Sequence, residues 1–215
     1  MNVLVPSRMH PPPARIRAII FDFGMVISTF DVDRFLRNLT PYTGKSIIEL
    51  RHVLAAVRGI VIEYEIGRLS TEEFVDRVFT TTELPLTRDQ FRIAYNDIFT
   101  PITSTHELIR RLKPSYRLGL LSNTSEWHFE HAIKTVEVFH LFDAVTLSFE
   151  VKALKPSATI YQDMLAKLGV PAEECIYIDD IPENVEAARG LGMYALQYTG
   201  YDRLVGDLRA AGVAC

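Results

Sequence analysis

Three short apolar runs, each ending in polar residues, set the pattern of this chain. Arg17-Ala-Ile-Ile-Phe-Asp-Phe-Gly24 drives an almost unbroken hydrophobic stretch into one carboxylate and then a glycine. Leu118-Gly-Leu-Leu-Ser-Asn-Thr124 ends in Ser122 and Asn123, and Glu174-Cys-Ile-Tyr-Ile-Asp-Asp180 ends in two adjacent carboxylates. Continuous hydrophobicity over so few residues predicts strands covered on both faces, as the strands of parallel sheets are. From Thr103 onward such strands alternate with helical stretches. Helices are predicted over 104–113, 125–136, 156–168, 182–191 and from Asp202, and strands over 116–121, 144–148, 175–178 and 193–197. Crossovers of helix length demand parallel pairing and right-handed connections, so the fold class is α/β, a Rossmann-like doubly wound parallel sheet. If the three runs are neighbours in that sheet, Asp22, Ser122, Asn123, Asp179 and Asp180 gather at its carboxyl edge, where open α/β sheets keep their ligands. A charge at the end of a buried strand is costly unless a cation or a reacting group uses it.

Between the first two runs the pattern is helical. Asp31 can cap a helix reaching about Leu39, Gly44 and Ser46 open a second through Val57, and 60–66 continues helical until Gly67. Ser70-x-x-Glu73 and Thr87-x-x-Gln90 are capping boxes, in which side chains satisfy the orphan amides of a helix start. The prediction is an inserted α-helical cap over 29–102 with no sheet of its own, a core made of 15–28 and 103–215, and a flexible tail over 1–14 that holds Pro11-Pro12-Pro13.

The chain has 215 residues, 48% hydrophobic and 23% charged, enough for such a core plus a small cap. A net charge of −4 gives no basic footprint, so no nucleic-acid partner is expected. No apolar stretch approaches membrane-spanning length. Cys175 and Cys215 are the only cysteines, which argues against a disulfide framework and for a cytoplasmic address. The pattern gives no oligomeric state.

Together with Lys152-Ala-Leu-Lys-Pro156, the three runs resemble the four motifs of the haloacid dehalogenase superfamily, in order and from about Arg15 to the chain end. They are similar above all to a bacterial subgroup of sugar-phosphate phosphatases, the α-D-glucose-1-phosphate phosphatase-like subgroup. That subgroup also reads Phe-Asp-x-Gly, Leu-Ser-Asn-Thr, Lys-Pro and Asp-Asp-x-x-x-Asn. Here those are Phe21 to Gly24, Leu121 to Thr124, Lys155-Pro156, and Asp179, Asp180 with Asn184; Tyr64 to Phe74 and Glu83 to Thr87 look like its cap.

The resemblance implies a Mg2+-dependent phosphatase that hydrolyses a small phosphorylated metabolite, a sugar phosphate being the expected class, through an aspartyl phosphate on Asp22. Asp22, Asp180 and the backbone carbonyl of Gly24 would hold the metal, with Asp179 a direct ligand or behind one. Ser122, Asn123 and Lys155 would bind the phosphoryl oxygens, Lys155 at a helix mouth, and Asn184 would orient Asp180.

Gly24 departs from the wider family, in which an aspartate two residues after the nucleophile protonates the leaving oxygen and then activates water. Candidates to replace it are His128, Glu63, Tyr64, Glu65 or a metal-bound water. Arg51, His52, Arg58, Glu63 and Tyr64 are polar cap residues available to a substrate. Two rival readings remain: a metal-independent 2-haloacid dehalogenase, against which the paired Asp179 and Asp180 count, and a catalytically silent binding or regulatory module that lost turnover at Gly24.

Overall fold

A computed structural model describes residues 15–215. The chain runs β1 (Ala18–Phe21), β2 (Ser28–Phe30), α1 (Val32–Thr43), α2 (Ile47–Glu65), α3 (Thr71–Thr82), α4 (Arg88–Asn96), β3 (Phe99–Pro101), α5 (Thr103–Leu112), β4 (Arg117–Ser122) and α6 (Glu126–His128). It continues through β5 (Ala144–Leu147), α7 (Ser148–Val151), α8 (Ala158–Leu168), β6 (Cys175–Asp179), α9 (Pro182–Gly190), β7 (Tyr194–Gln197) and α10 (Tyr201–Ala210).

Five strands pair in parallel in the order β5-β4-β1-β6-β7. The period of two explains why their sequences are apolar throughout. Ile19, Phe21, Leu118, Leu120, Ile176 and Ile178 pack on one face with Leu108 and Leu112 of α5 and Leu204 and Leu208 of α10. Ala18, Ile20, Leu121 and Tyr177 pack on the other with Ile160 and Met164 of α8 and Val185 and Ala188 of α9. With both faces covered, no position of β1 tolerates a polar side chain until the strand ends at Asp22.

Helices α1 to α4 enclose a separate core of Leu36, Leu50, Val57, Tyr64, Phe74, Val78 and Phe91. Asp31 caps α1, and capping boxes open α2 at Ser46 with Glu49, α3 at Ser70 with Glu73 and α4 at Thr87 with Gln90. Three expectations need correction. Residues 47–65 form one helix through Gly59 rather than two; the cost of a helical glycine, about 1 kcal/mol, is outweighed by the burial of Leu50, Val57 and Tyr64. The insert does have strands at its root, because β2 and β3 pair antiparallel, Phe30 opposite Phe99. Three-residue strands are too short to betray alternation, and their partners lie about seventy residues apart. Thirdly, the helix expected over 125–136 is broken: α6 widens into a π-helical turn, Phe129–Ile133. The predicted flexible tail lies outside the described residues. Among the described residues, no helix is long and apolar enough to cross a membrane.

Candidate active site

The register of β1 sets Phe21 opposite Leu120 of β4 and Ile178 of β6, so Asp22, one step on, stands level with Leu121 and Asp179. Its amide donates to the Ile178 carbonyl at 2.9 Å, fixing the backbone at the sheet's carboxyl edge. The chain then turns back at once. Ile27 and Ser28 donate to the Phe23 carbonyl (2.9 and 3.1 Å), and Met25 donates to Ser28 (2.8 Å) from a left-handed backbone, φ 56°. That conformation costs a residue with a side chain about 1–2 kcal/mol, and it is met here immediately beyond a buried carboxylate. At Gly24 a Cβ would touch the Phe30 ring at 3.4 Å and approach Asp22 Oδ2 at 4.0 Å, so an aromatic ring of β2 borders the space an acidic side chain would enter.

Lys155 lies between two carboxylates. Its Nζ donates to Asp22 Oδ1 and Asp179 Oδ2, both at 2.7 Å, and all three side chains are buried. Burial works against the ammonium, but the two carboxylates overcome it and raise the Lys155 pKa above the ordinary lysine value. Burial likewise works against the Asp179 carboxylate, yet Lys155, the Tyr177 hydroxyl and the Ile181 amide hold its pKa below the usual range. Asp22 goes the other way: burial pushes its pKa up, Lys155 only partly offsets that, and the charge of Asp179 adds to it. Asp180 is half-exposed, and burial with the neighbouring Asp179 raises it too. Asp22, Asp179 and Asp180 each offer an oxygen within 4.8 Å of the others. Fully ionised, three carboxylates against one ammonium would leave two negative charges, an excess that the raised pKa values of Asp22 and Asp180 register, and a site of oxygen donors with surplus negative charge suits a hard divalent cation.

Above this edge a cavity of about 510 Å³ separates the sheet from the helical insert. Gly24, Ser122, Asn123, Thr124 and His128 line it from the core side, Arg51, Arg58, Glu65 and Tyr95 from the insert. The rest is apolar: Phe23, Phe30, Val32, Phe35, Leu36, Leu54, Ala55, Val61, Ile98 and Phe99.

The sequence profile of haloacid dehalogenase-like hydrolases matches residues 19–197. The chain belongs to this family. D-ribitol-5-phosphate phosphatase of Bacteroides thetaiotaomicron is 26% identical to it over 189 residues, 85% of this chain and 91% of that one. An (S)-2-haloacid dehalogenase of Pseudomonas putida is also 26% identical, over 188 residues and 82% of each chain. Among solved structures, a variant of a haloacid dehalogenase family enzyme from Bacteroides thetaiotaomicron, in complex with magnesium and inorganic phosphate, superposes with a TM-score of 0.76 at 25% identity, covering 88% of this chain and 98% of that one. Relatives with two different reactions mean that family membership alone does not choose between them; the site must.

Within this hydrolase several residues do work other than expected. Asn123 spends both ends of its amide on the Lys155 backbone, Oδ1 accepting from the Lys155 amide at 2.8 Å and Nδ2 donating to its carbonyl at 3.2 Å. It therefore positions the lysine, and one Nδ2 proton is left over on the cavity side. Helix α8 starts at Ala158, so Lys155 sits in a turn before the helix rather than at its mouth. Asn184 donates to both oxygens of Asp179 at 3.1 Å, not to Asp180. On a helix starting at Pro182 it faces back over the buried carboxylate, whereas the neighbouring Asp180, on the opposite side of the pleat, is left open. Ser122 is buried beside the cavity with only a long contact, 3.4 Å, to the Asn123 carbonyl.

His128 lines the cavity, but its Nε2 donates to the Tyr95 carbonyl at 3.1 Å and its ring stacks on Tyr95 at 4.2 Å. Burial pulls its pKa down to about 4, so the imidazole is neutral near pH 7 with its one proton committed. Among the candidates to replace the missing acid, His128 is therefore a poor proton donor. Glu63 pairs with Arg77 at 3.1 Å outside the cavity, and Tyr64 bonds Thr71 and the Trp127 amide in the interior of the insert. Arg51 is committed to Asp33 at 2.6 Å, and His52 does not border the cavity. Two contributors went unread in the sequence. Tyr177, whose hydroxyl donates to Asp179, was detectable from the period of two, which puts residues 177 and 179 on one face. Ser148 accepts from the Thr124 amide at 2.9 Å, a link visible only once β5 is known to flank β4.

Proposed function

We propose that this hydrolase is a magnesium-dependent phosphomonoesterase that cleaves a small phosphorylated metabolite through an aspartyl phosphate on Asp22. The observation that carries the reading is the convergence of Asp22, Asp179 and Asp180 on one oxygen-lined point, more carboxylates than Lys155 can neutralise. Displacement of halide from carbon needs no such cation, and a silent binding module needs no carboxylate held at 2.7 Å from a buried lysine. The relative solved with magnesium and inorganic phosphate supports the same choice. Asp22, Asp180 and the Gly24 carbonyl would hold the ion, with Asp179 kept behind them by Lys155, Tyr177 and Asn184. Magnesium, when bound, offsets the charge that would otherwise repel a phosphate ester from a carboxylate.

The chain's own groups then divide the chemistry. The Asp22 carboxylate attacks phosphorus, splitting one difficult displacement into two. Lys155 and the Ser122 hydroxyl hold phosphoryl oxygens as charge redistributes over them, and Asn123 keeps the lysine in register. A sugar phosphate is the substrate class in this reading, supported by the motif likeness and by the relative that acts on ribitol 5-phosphate.

The cavity walls favour a second reading of the alcohol alone. Each sugar hydroxyl buried against Phe35, Leu54 or Val61 without a partner would cost about 1–3 kcal/mol, whereas an aryl or isoprenyl group would gain there. A phosphate-release screen over sugar, aryl and isoprenyl phosphates, with and without magnesium, tests both. Magnesium-stimulated release by the wild type and its loss in Asp22→Asn are expected. Turnover in that variant above about a hundredth of wild type would refute the covalent route. The ranking of sugar against apolar esters chooses between the substrate classes.

A further inference from the structure

We propose that Glu65 is the general acid of this hydrolase, donating to the leaving oxygen the proton that Gly24 cannot supply; the inference rests on the phosphatase reading above. Glu65 closes α2 and is the one carboxyl among the described residues lining the cavity that Gly24, Ser122 and Asn123 also line. No other lining group is suited to the task. The His128 proton is committed to Tyr95, the buried Tyr95 phenol is far too weak an acid, and an arginine does not give up its proton.

The position of Glu65 is fixed by contacts to the core. The Ser148 hydroxyl shares its proton between the carbonyls of Glu65 at 2.7 Å and Thr124 at 2.9 Å, tying the end of α2 to the loop that follows β4. Two residues on, Gly67 has φ +69°, and any Cβ there would run into the Phe149 carbonyl, so only glycine lets this turn lie against the core. Lys152 donates to the Gly67 carbonyl and closes the seam. The backbone that carries this acid is thus tied to the core.

The surroundings keep the proton on. The Glu65 carboxyl makes no hydrogen bond or ion pair with the described residues, and burial alone pushes its pKa up to about 7. The charged and titratable groups around it leave that state intact: Arg51 is paired with Asp33, Lys152 with a carbonyl, His128 is neutral, Tyr95 stays protonated, and Arg58, two helical turns before Glu65, is exposed to solvent. A carboxyl poised near neutrality in a cleft is what acid catalysis at pH 7 requires.

In the first step Asp22 forms a bond to phosphorus, the bond from phosphorus to the alcohol oxygen breaks, and that oxygen takes the Glu65 proton and leaves as the alcohol. In the second, water attacks the aspartyl phosphate and gives its proton to the Glu65 carboxylate. The bond from phosphorus to Asp22 breaks, releasing inorganic phosphate and restoring both carboxyl groups.

The test is kcat/KM of wild type and Glu65→Gln, with magnesium, over a series from 2,4-dinitrophenyl phosphate through phenyl phosphate to alkyl phosphates. Dinitrophenolate needs no proton to leave, so the variant should keep its rate within about threefold there and lose about a hundredfold or more on alkyl esters. Wild-type rates on alkyl esters should also fall as pH rises through about 7, and that limb should be missing for dinitrophenyl phosphate. A uniform loss across the series, or none, overturns the assignment while leaving the phosphatase reading intact. A wild type inert to every ester overturns both.

Discussion

Replacing Glu65 by glutamine should make the protein more stable at alkaline pH, whatever its effect on turnover. Glu65 has a native pKa of about 7, against 4.5 for an ordinary glutamate. Between those values the unfolded chain has released the proton that the folded chain still holds. Stability must therefore fall as pH rises across that window and level off above it. A gap of about two and a half pH units corresponds to roughly 3 kcal/mol at 1.36 kcal/mol per unit, the upper end of what removing the charge can restore. Glutamine keeps the shape and cannot ionise. Urea denaturation of both proteins with a chelator present, at pH 5 and at pH 8, is the assay. The two should nearly coincide at pH 5, and the variant should unfold at higher urea at pH 8, with unchanged m-value. A variant that tracks the wild type at both values, or is less stable at pH 8, would refute the claim that Glu65 is half-buried without a partner. A residue whose loss stabilises the fold is retained for another reason, and this outcome together with a leaving-group-dependent loss of rate would be the signature of a strained functional group.

The two adjacent aspartates should separate by phenotype. Asp180→Ala should abolish magnesium stimulation with little change in stability. Asp179→Ala should destabilise the protein by roughly 1–3 kcal/mol, because it takes one of its two carboxylates from Lys155, which keeps Asp22, and removes the acceptor of Tyr177, Asn184 and the Ile181 amide; metal titration and denaturation of each variant decide it. For His128, whose native pKa of about 4 lies below the usual 6.5, the unfolded chain takes up a proton as pH falls from 6.5 to 4 and the folded chain does not. Stability should drop over that window in the wild type and less so in His128→Asn, read as melting temperature against pH, with no change in leaving-group dependence.

The sequence alone determined the sheet. Runs such as Ala18 to Phe21 and Cys175 to Ile178 are apolar at every position because both faces are covered, a property that composition and length carry without any contact being known. The same logic marked Asp22, Ser122, Asn123, Asp179 and Asp180 as strand-end groups, and the spacing of a hydroxyl from a carboxylate or amide marked the helix starts at Ser70 and Thr87, since a capping box is closed within four residues. What depends on long-range register was invisible. That Asn184 serves Asp179, that Asn123 holds Lys155, and that Ser148 joins Glu65 to Thr124 follow from which strands are neighbours and how far each turn advances. The roles of Glu63, Tyr64 and Glu65, three consecutive residues, were likewise open, because a helix carries successive side chains to different faces and only the docking of α2 decides which one meets the cavity. Burial then does the rest: the same glutamate that is an ordinary carboxylate in water becomes an acid near neutrality where the end of α2 lies against the core, a property of its surroundings and not of its residue type.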